Sequence, residues 1–279
     1  MINFRLLTNA SYFMLNFLIF IALLSFVLGL AFHYWLSNFV LPYRHLSYVW
    51  LFSLRNHKKY GEPCATDKVL KRKGYALGFS FKHKTALWAS YIISKASVGV
   101  DMERGENFLP DTEVPQNCRV VPQDYSNTNY DRGHLVPSAS VDYSRESNDE
   151  TFLMTNIALQ DPKLNRQAWS SLEEMTRRWT YSKGRLYVVV GPVFDKKPEE
   201  INGIALPKGF YMVIYAMNFK KAIAFLMPNK ALVATKIWEH AVSVKEVEKQ
   251  TGLTFFSKMR KSTQNQLKEQ LDLNWWKQH

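Results

Sequence analysis

The sequence predicts an α+β domain built on a central antiparallel sheet flanked by helices, with an apolar helix ahead of it. Three observations lead there. Short aromatic and β-branched runs come in pairs joined by brief polar connections, which is hairpin patterning. Residues 163–181 place Leu164, Ala168, Leu172, Met175 and Trp179 three to four positions apart, the signature of a helix with one buried face. Strands fall on both sides of that helix, which argues for α+β rather than a strict strand–helix alternation.

The apolar helix comes first. Residues 13–32 read FMLNFLIFIALLSFVLGLAF, and no formal charge occurs between Arg5 and Arg44. About 20 helical residues at 1.5 Å each span a bilayer's hydrocarbon layer. Tyr12, Tyr34 and Trp35 sit near the ends, at the depth amphipathic aromatics prefer. Residues 1–35 are therefore a membrane anchor or a signal segment. Gly29 and Ala31 supply the small residues of a cut before Phe32. A helix buried in a core is the third reading. Residues 36–59 form a juxtamembrane linker whose apolar patch, 36–54, is broken by Pro42 and Arg44.

The elements that follow occupy 60–258. GYALGFSF (74–81) and TALWASYIIS (85–94) flank a short basic turn and read as a hairpin. RLYVVVGPVF (185–194) is the strongest strand, which Gly191–Pro192 is expected to end. FYMVIYAMN (210–218) and KAIAFLM (221–227) form a second hairpin. Residues 244–251 form a short helix stopped by Gly252, after which Leu253, Phe255 and Phe256 dock. The tail, 259–279, is polar and helical and ends near Trp275–Trp276.

Composition excludes several classes. The 279 residues are 47% hydrophobic and 22% charged, so the chain is not disordered as a whole. Two cysteines exclude a disulfide-dense scaffold and a four-cysteine zinc site. Cys64 and Cys118 would pair in an oxidising compartment and stay thiols in a reducing one. The net charge is +12, and residues 1–60 hold no acid and five bases, which leaves the remainder at +7. A polyanionic partner, nucleic acid or membrane, fits that excess. Lys68, Lys71, Arg72 and Lys73, and Arg177, Arg178, Lys183 and Arg185, are either phosphate tracks or solvated faces.

The chemistry concentrates between Tyr130 and Glu173. Of seven histidines, only His134 has a suggestive setting, Asp131-Arg132-Gly133-His134, where a small glycine would allow close approach to a substrate backbone. Further on come Thr155-Asn156-Ile157-Ala158-Leu159-Gln160 and Leu164-Asn165-Arg166-Gln167-Ala168-Trp169-Ser170-Ser171-Leu172-Glu173. These boxes closely resemble those of the DNA/RNA non-specific endonucleases, a family of ββα-metal nucleases that includes mitochondrial endonuclease G. D-R-G-H and L-N-x-x-x-W-x-x-L-E match in full. The middle box, S/T-N-x-x-P-Q, departs only at Leu159, where the family has a turn-shaping proline. The likeness covers roughly 60–258.

The resemblance implies roles. His134 matches the general base, and Asn165 the one protein ligand of a catalytic Mg²⁺, with Mn²⁺ as a substitute. Glu173 matches the acid that holds a metal-bound water, so it would touch the metal only through that water. Arg132 matches the phosphate-contacting arginine. Asn156 matches the middle-box residue that supports the site and is grouped with Arg132 for substrate binding. Arg104 aligns loosely with a further catalytic arginine. Asp131 reads as an orienter, and Trp169 as core packing ahead of substrate stacking. In a regular helix Asn165 and Glu173 share a face but lie about 12 Å apart along the axis.

The implied activity is Mg²⁺-dependent, sequence- and sugar-nonspecific hydrolysis of DNA and RNA, leaving 5′-phosphates. A catalytically silent, membrane-tethered nucleic-acid-binding protein on the same fold is the alternative, and a phosphodiesterase for lipid headgroups a third. Expected partners are DNA, RNA and, through the N-terminal helix, a membrane. Dimers occur in the family, so a homodimer is open, although the sequence carries no interface signal. Flanking positive charges favour a cytoplasmic catalytic part. A nuclease endangers the host genome, which favours an extracytoplasmic (periplasmic or extracellular) one instead, with mitochondrial or cleaved and secreted forms as alternatives.

Overall fold

The computed structural model describes residues 4–35, 56–99 and 107–278; the patch at 36–54 and Arg104 lie outside the described residues. The chain divides into two compact units, Met1–Trp50 and Leu51–His279. The first contains α1 (Phe4–Trp35). Its residues 17–35 carry no Asp, Glu, Lys or Arg, and none is buried. That corrects the core-helix reading, since a helix in a core hides its apolar side chains. The pattern is that of a span or a targeting segment.

The second unit holds a seven-stranded antiparallel sheet and two smaller two-stranded antiparallel sheets. In chain order its elements are β1 (Lys68–Lys71), β2 (Ala76–Ser80), β3 (Thr85–Ile93), β4 (Asp131–His134), α2 (Arg145–Asp149), β5 (Ile157–Gln160), a π-helical segment (Leu164–Trp169), α3 (Ser170–Lys183), β6 (Leu186–Val193), β7 (Glu200–Ile201), β8 (Ile204–Ala205), β9 (Gly209–Ala216), β10 (Lys221–Pro228), β11 (Ala241–Val242), α4 (Val244–Thr251), α5 (Lys261–Glu269) and α6 (Leu273–Lys277). The main sheet runs β1-β2-β3-β6-β9-β10-β11. Both expected hairpins are present, as β2–β3 and β9–β10.

Every residue of β6 and β9 is buried, because the sheet is covered on both faces. Successive side chains alternate. Tyr211, Val213 and Tyr215 face a cluster with Val244, Val247 and Phe255 from the α4 region. On the other face Phe210 meets Trp169, and Met212 meets Thr176. Gly191 and Pro192 do not end β6, which runs on to Val193. β3 pairs with β6 only as far as Val190, so the missing N–H of Pro192 interrupts no bond on that side. At α4, Ser243 caps the start by accepting from Glu246 N, and Gly252 supplies the left-handed φ of 73° that stops the helix.

Several charged residues turn out to be structural. Arg72 has its side chain only 5% exposed and is bound by Asp111 and Glu113; Lys73 pairs with Glu146. Lys68 Nζ donates to the Glu113 carbonyl. Within the first basic cluster Arg72 is thus a buried ion-pair partner, while Lys71 remains exposed. Lys183 is buried and donates to the carbonyls of Trp275 and Gln278 at 3.2 and 2.6 Å, which ties down the tail. Trp276 is fully buried against Trp179. Cys64 and Cys118 are free thiols, and burial followed by the Glu62 charge raises the Cys64 pKa.

His57 carries a pH dependence. It is 7% exposed, its Nε2 bonds the Lys73 carbonyl at 3.3 Å, and Nδ1 has no partner. Burial lowers its pKa from 6.5 to about 4. Between those values the unfolded chain takes up a proton that the folded chain refuses, so stability falls as pH drops through this window. The accumulated loss is on the order of 3 kcal/mol. Urea unfolding at pH 7.5, 5.5 and 4.5 is expected to show the native chain losing stability relative to His57→Gln on acidification; parallel losses would refute the assignment.

Candidate functional site

β4 and β5 form one small sheet in antiparallel register: Asp131 opposite Gln160, Arg132 opposite Leu159, Gly133 opposite Ala158 and His134 opposite Ile157. The chain then turns at Asp161, whose Oδ1 accepts from the backbone N–H of Lys163 and Leu164 at 2.8 and 3.0 Å. This is an Asx-type helix start. Leu159, which stands where a proline was expected, continues the strand. Asn229 Nδ2 donates to its carbonyl at 3.0 Å and to that of Pro207 at 2.9 Å, while Asn229 Oδ1 accepts from Asp161 N at 2.7 Å. One distant amide thereby fixes the strand end.

The regular helix expected over 163–181 is corrected. Leu164–Trp169 is π-helical and only Ser170–Lys183 is α. A π turn closes its backbone hydrogen bonds between i and i+5, which widens the turn, and both its first and last residues, Leu164 and Trp169, are buried. The wider turn carries Asn165, whose Nδ2 donates to Asp131 Oδ2 at 2.9 Å. Arg166 clasps the same carboxylate with two bonds, of 2.8 and 2.7 Å. That contact raises the Arg166 pKa, chiefly through the hydrogen bond. Asp131 therefore orients the Asn165 amide, leaving the carbonyl oxygen as the group available to a ligand.

Arg132, His134, Asn165 and Glu173 line one pocket of about 370 Å³, together with Pro137, Arg166, Ser170 and Arg177 among others. The His134 ring packs in a triad with Phe108 and Phe152, at centroid distances of 5.5 and 5.0 Å, while the two phenylalanines lie 5.4 Å from each other. Arg132 Nη2 donates to the Pro122 carbonyl at 2.9 Å, and its guanidinium lies 5.4 Å from the Phe108 ring centre. Three arginines face the pocket against Glu173 and the Asp131 carboxylate behind it, which suits an anion. Of the second basic cluster, only Arg177 reaches this pocket.

Asn156 does not line the pocket. It is fully buried; its Oδ1 accepts from Val136 N at 3.0 Å, and its Nδ2 donates to the carbonyls of Val136 and Thr151, both at 2.9 Å. Its amide is bonded to backbone groups of Val136, just after His134, and of Thr151, in the turn ahead of Asn156, so the substrate-contact grouping is corrected to a supporting one. Gly133 is not an open approach to substrate either. A Cβ there would lie 2.2 Å from Gln160 Oε1 and 2.6 Å from Gln160 Cβ. Gly133→Ala is expected to cost about 1–3 kcal/mol by overpacking, read as a lower melting temperature; an unchanged one would show that Gln160 yields freely.

Phe108, Phe152 and Arg166 were not anticipated. Arg166 and Ser170 had a signal in their helical spacing around Asn165 and Glu173. The two phenylalanines had none, since they reach His134 only through the fold. Trp169 is buried against Phe210, as its core reading requires.

Known proteins share the sequence and fold of the second unit. A solved structure described as the EndoG/EndoGI complex superposes with a TM-score of 0.69 at 26% identity, covering 75% of this chain and 95% of that one. A curated nuclease of Nostoc sp. is 30% identical over 216 residues, 73% of this chain and 78% of its own length. Human mitochondrial endonuclease G is 29% identical over 214 residues, 71% of this chain and 72% of its own. A sequence model of the DNA/RNA non-specific endonucleases matches residues 55–262. The chain belongs to the DNA/RNA non-specific endonuclease family and is a nuclease.

Proposed function

We propose that this nuclease is a Mg²⁺-dependent endonuclease that cuts DNA and RNA without regard to sequence or sugar. The observation that carries the reading is the convergence of His134, Arg132, Asn165 and Glu173 on one pocket, with the Asn165 amide turned by Asp131. The donor set fits a hard cation that keeps most of its waters: an amide oxygen, a carboxylate in the same pocket, and, among the described residues, no cluster of three His, Cys, Asp or Glu ligands. Asn165 would hold the ion directly and Glu173 through water.

Bound there, the cation would supply charge neutralisation and stabilise the leaving oxygen. The chain's own residues do the rest. His134 takes a proton from the attacking water. Arg132, held by Pro122 and Phe108, places positive charge on the phosphoryl oxygens. Glu173 accepts hydrogen bonds from water in the pocket and keeps it ordered. The absence of a base-reading motif agrees with nonspecific cutting. We read α1 as a membrane anchor carrying an extracytoplasmic catalytic unit; the mitochondrial relatives supply the other location. The solved relative in complex with EndoGI suggests that a protein inhibitor is also a partner.

Plasmid decay by the full chain tests the reading. Chelation is expected to stop cutting and added Mg²⁺ or Mn²⁺ to restore it. Asn165→Ala is expected to lower activity at limiting Mg²⁺ by on the order of 100-fold or more. Undiminished cutting in excess chelator would overturn the metal assignment.

A further inference from the structure

A second cleft, of about 640 Å³, opens between α3 and the C-terminal tail, lined by Arg178, Trp179, Tyr181, Trp238, Trp276 and Lys277 among others. We infer that it is a stacking subsite for unpaired bases of a nucleic-acid strand that runs on from the catalytic pocket; the inference rests on the nuclease reading of that pocket. Both clefts are built on one helix. α3 turns Ser170, Glu173 and Arg177 into the catalytic pocket and Arg178, Trp179 and Tyr181 into the second. Glu173 and Trp179 are six residues apart, about 9 Å along the axis, with Arg177 and Arg178 between them. Glu173 and Trp179 also lie about 120° apart around the helix, so a strand that touches both must cross the α3 surface, and Arg177 and Arg178 mark that crossing for its phosphates.

The walls suit bases rather than a general apolar guest. The indoles brace one another at an angle: Trp179 lies 4.8 Å from Trp276 at 60° and 6.1 Å from Trp238 at 57°. Trp276 is fully buried, so the tail forms a fixed wall, whereas Trp238 is only partly covered. Tyr181 is 60% exposed. Each accessible ring has a cation beside it: Lys277 Nζ is 5.3 Å from the Trp238 centre and Lys95 Nζ is 5.4 Å from that of Tyr181. Aromatic faces interleaved with cations bind single strands, because every base offers a π-face and every linkage a charge. Arg178 pairs with Glu174 at 3.3 Å, but with side chains 72% and 58% exposed that pair is weak enough for a phosphate to displace.

The test uses the full chain in detergent carrying His134→Ala, without divalent cation, so that binding is measured apart from cutting. A single-stranded 12-mer is expected to quench indole fluorescence, and Trp238→Ala to weaken its binding by about tenfold, the loss of one stacked base. Tyr181→Ala, a surface change that leaves the core intact, is expected to weaken it in the same direction. A duplex of equal length, its base faces hidden, is expected to bind alike with and without either change. Single-strand binding unaffected by both substitutions would overturn the proposal, as would equal losses for duplex and single strand. Quenching by brominated-lipid vesicles but not by the 12-mer would give the cleft to a membrane surface and overturn it too. If the unsubstituted chain cuts no plasmid, the nuclease reading of the first pocket fails, and the binding series still decides the second cleft.

Discussion

His134→Ala is expected to reduce plasmid cutting by about 10²–10⁴-fold, the contribution of a positioned general base, while nucleic-acid binding and melting temperature stay close to those of the native chain. The ring stands at the end of β4, packed against Phe108 and Phe152, and lines the same pocket as Asn165 and Glu173. Truncation removes the proposed proton acceptor but leaves Arg132, Arg166 and Arg177 lining the pocket. Binding and chemistry should therefore separate: the substrate concentration for half-maximal rate changes little, and the turnover collapses. Cutting by His134→Ala at the native rate would remove this imidazole from the mechanism. Loss of binding along with rate would mean that the ring holds the pocket together.

Asn156→Leu is expected to be the most destabilising single change near the site. It strands one buried donor, Val136 N, and two carbonyls, those of Val136 and Thr151. Unmet buried groups cost about 1–3 kcal/mol each, so a loss on the order of 4 kcal/mol and a fall of roughly 10 °C in melting temperature are expected. Asn156→Asp is the sharper variant. It keeps the acceptor for Val136 N but turns the donor nitrogen into a second oxygen facing two carbonyls, so it should be rescued little. Activity should fall with both, because the held loop follows directly on His134, whose neighbour Leu135 also donates to the Asn156 carbonyl at 2.9 Å. Full stability in either variant would show that the loop keeps its shape without the amide.

The two hairpins, the β6 run and the short α4 helix were legible because each is encoded by contiguous apolar runs and local stop signals such as Gly252. The three boxes that supply the candidate pocket were legible because their residues are close in sequence or carried by one helix. The reading failed where a property depends on what arrives from elsewhere. Arg72 in isolation is a surface cation; Asp111 and Glu113, some forty positions on, make it a buried ion-pair partner. Pro192 reads as a strand breaker until β3 is seen to release β6 before that position.

By itself the sequence determined the family, the residue types that line the candidate pocket and the apolar character of the first helix, since composition and short-range pattern suffice for these. Only the tertiary structure decided that Asp131 turns the Asn165 amide, that the helix opens with a π turn, that Asn156 serves the backbone and not the substrate, and that the tail builds an aromatic cleft on α3. Each of those depends on hydrogen bonds or ring contacts between residues tens of positions apart, and such pairings are set by how the sheet and helices pack, which no local pattern records.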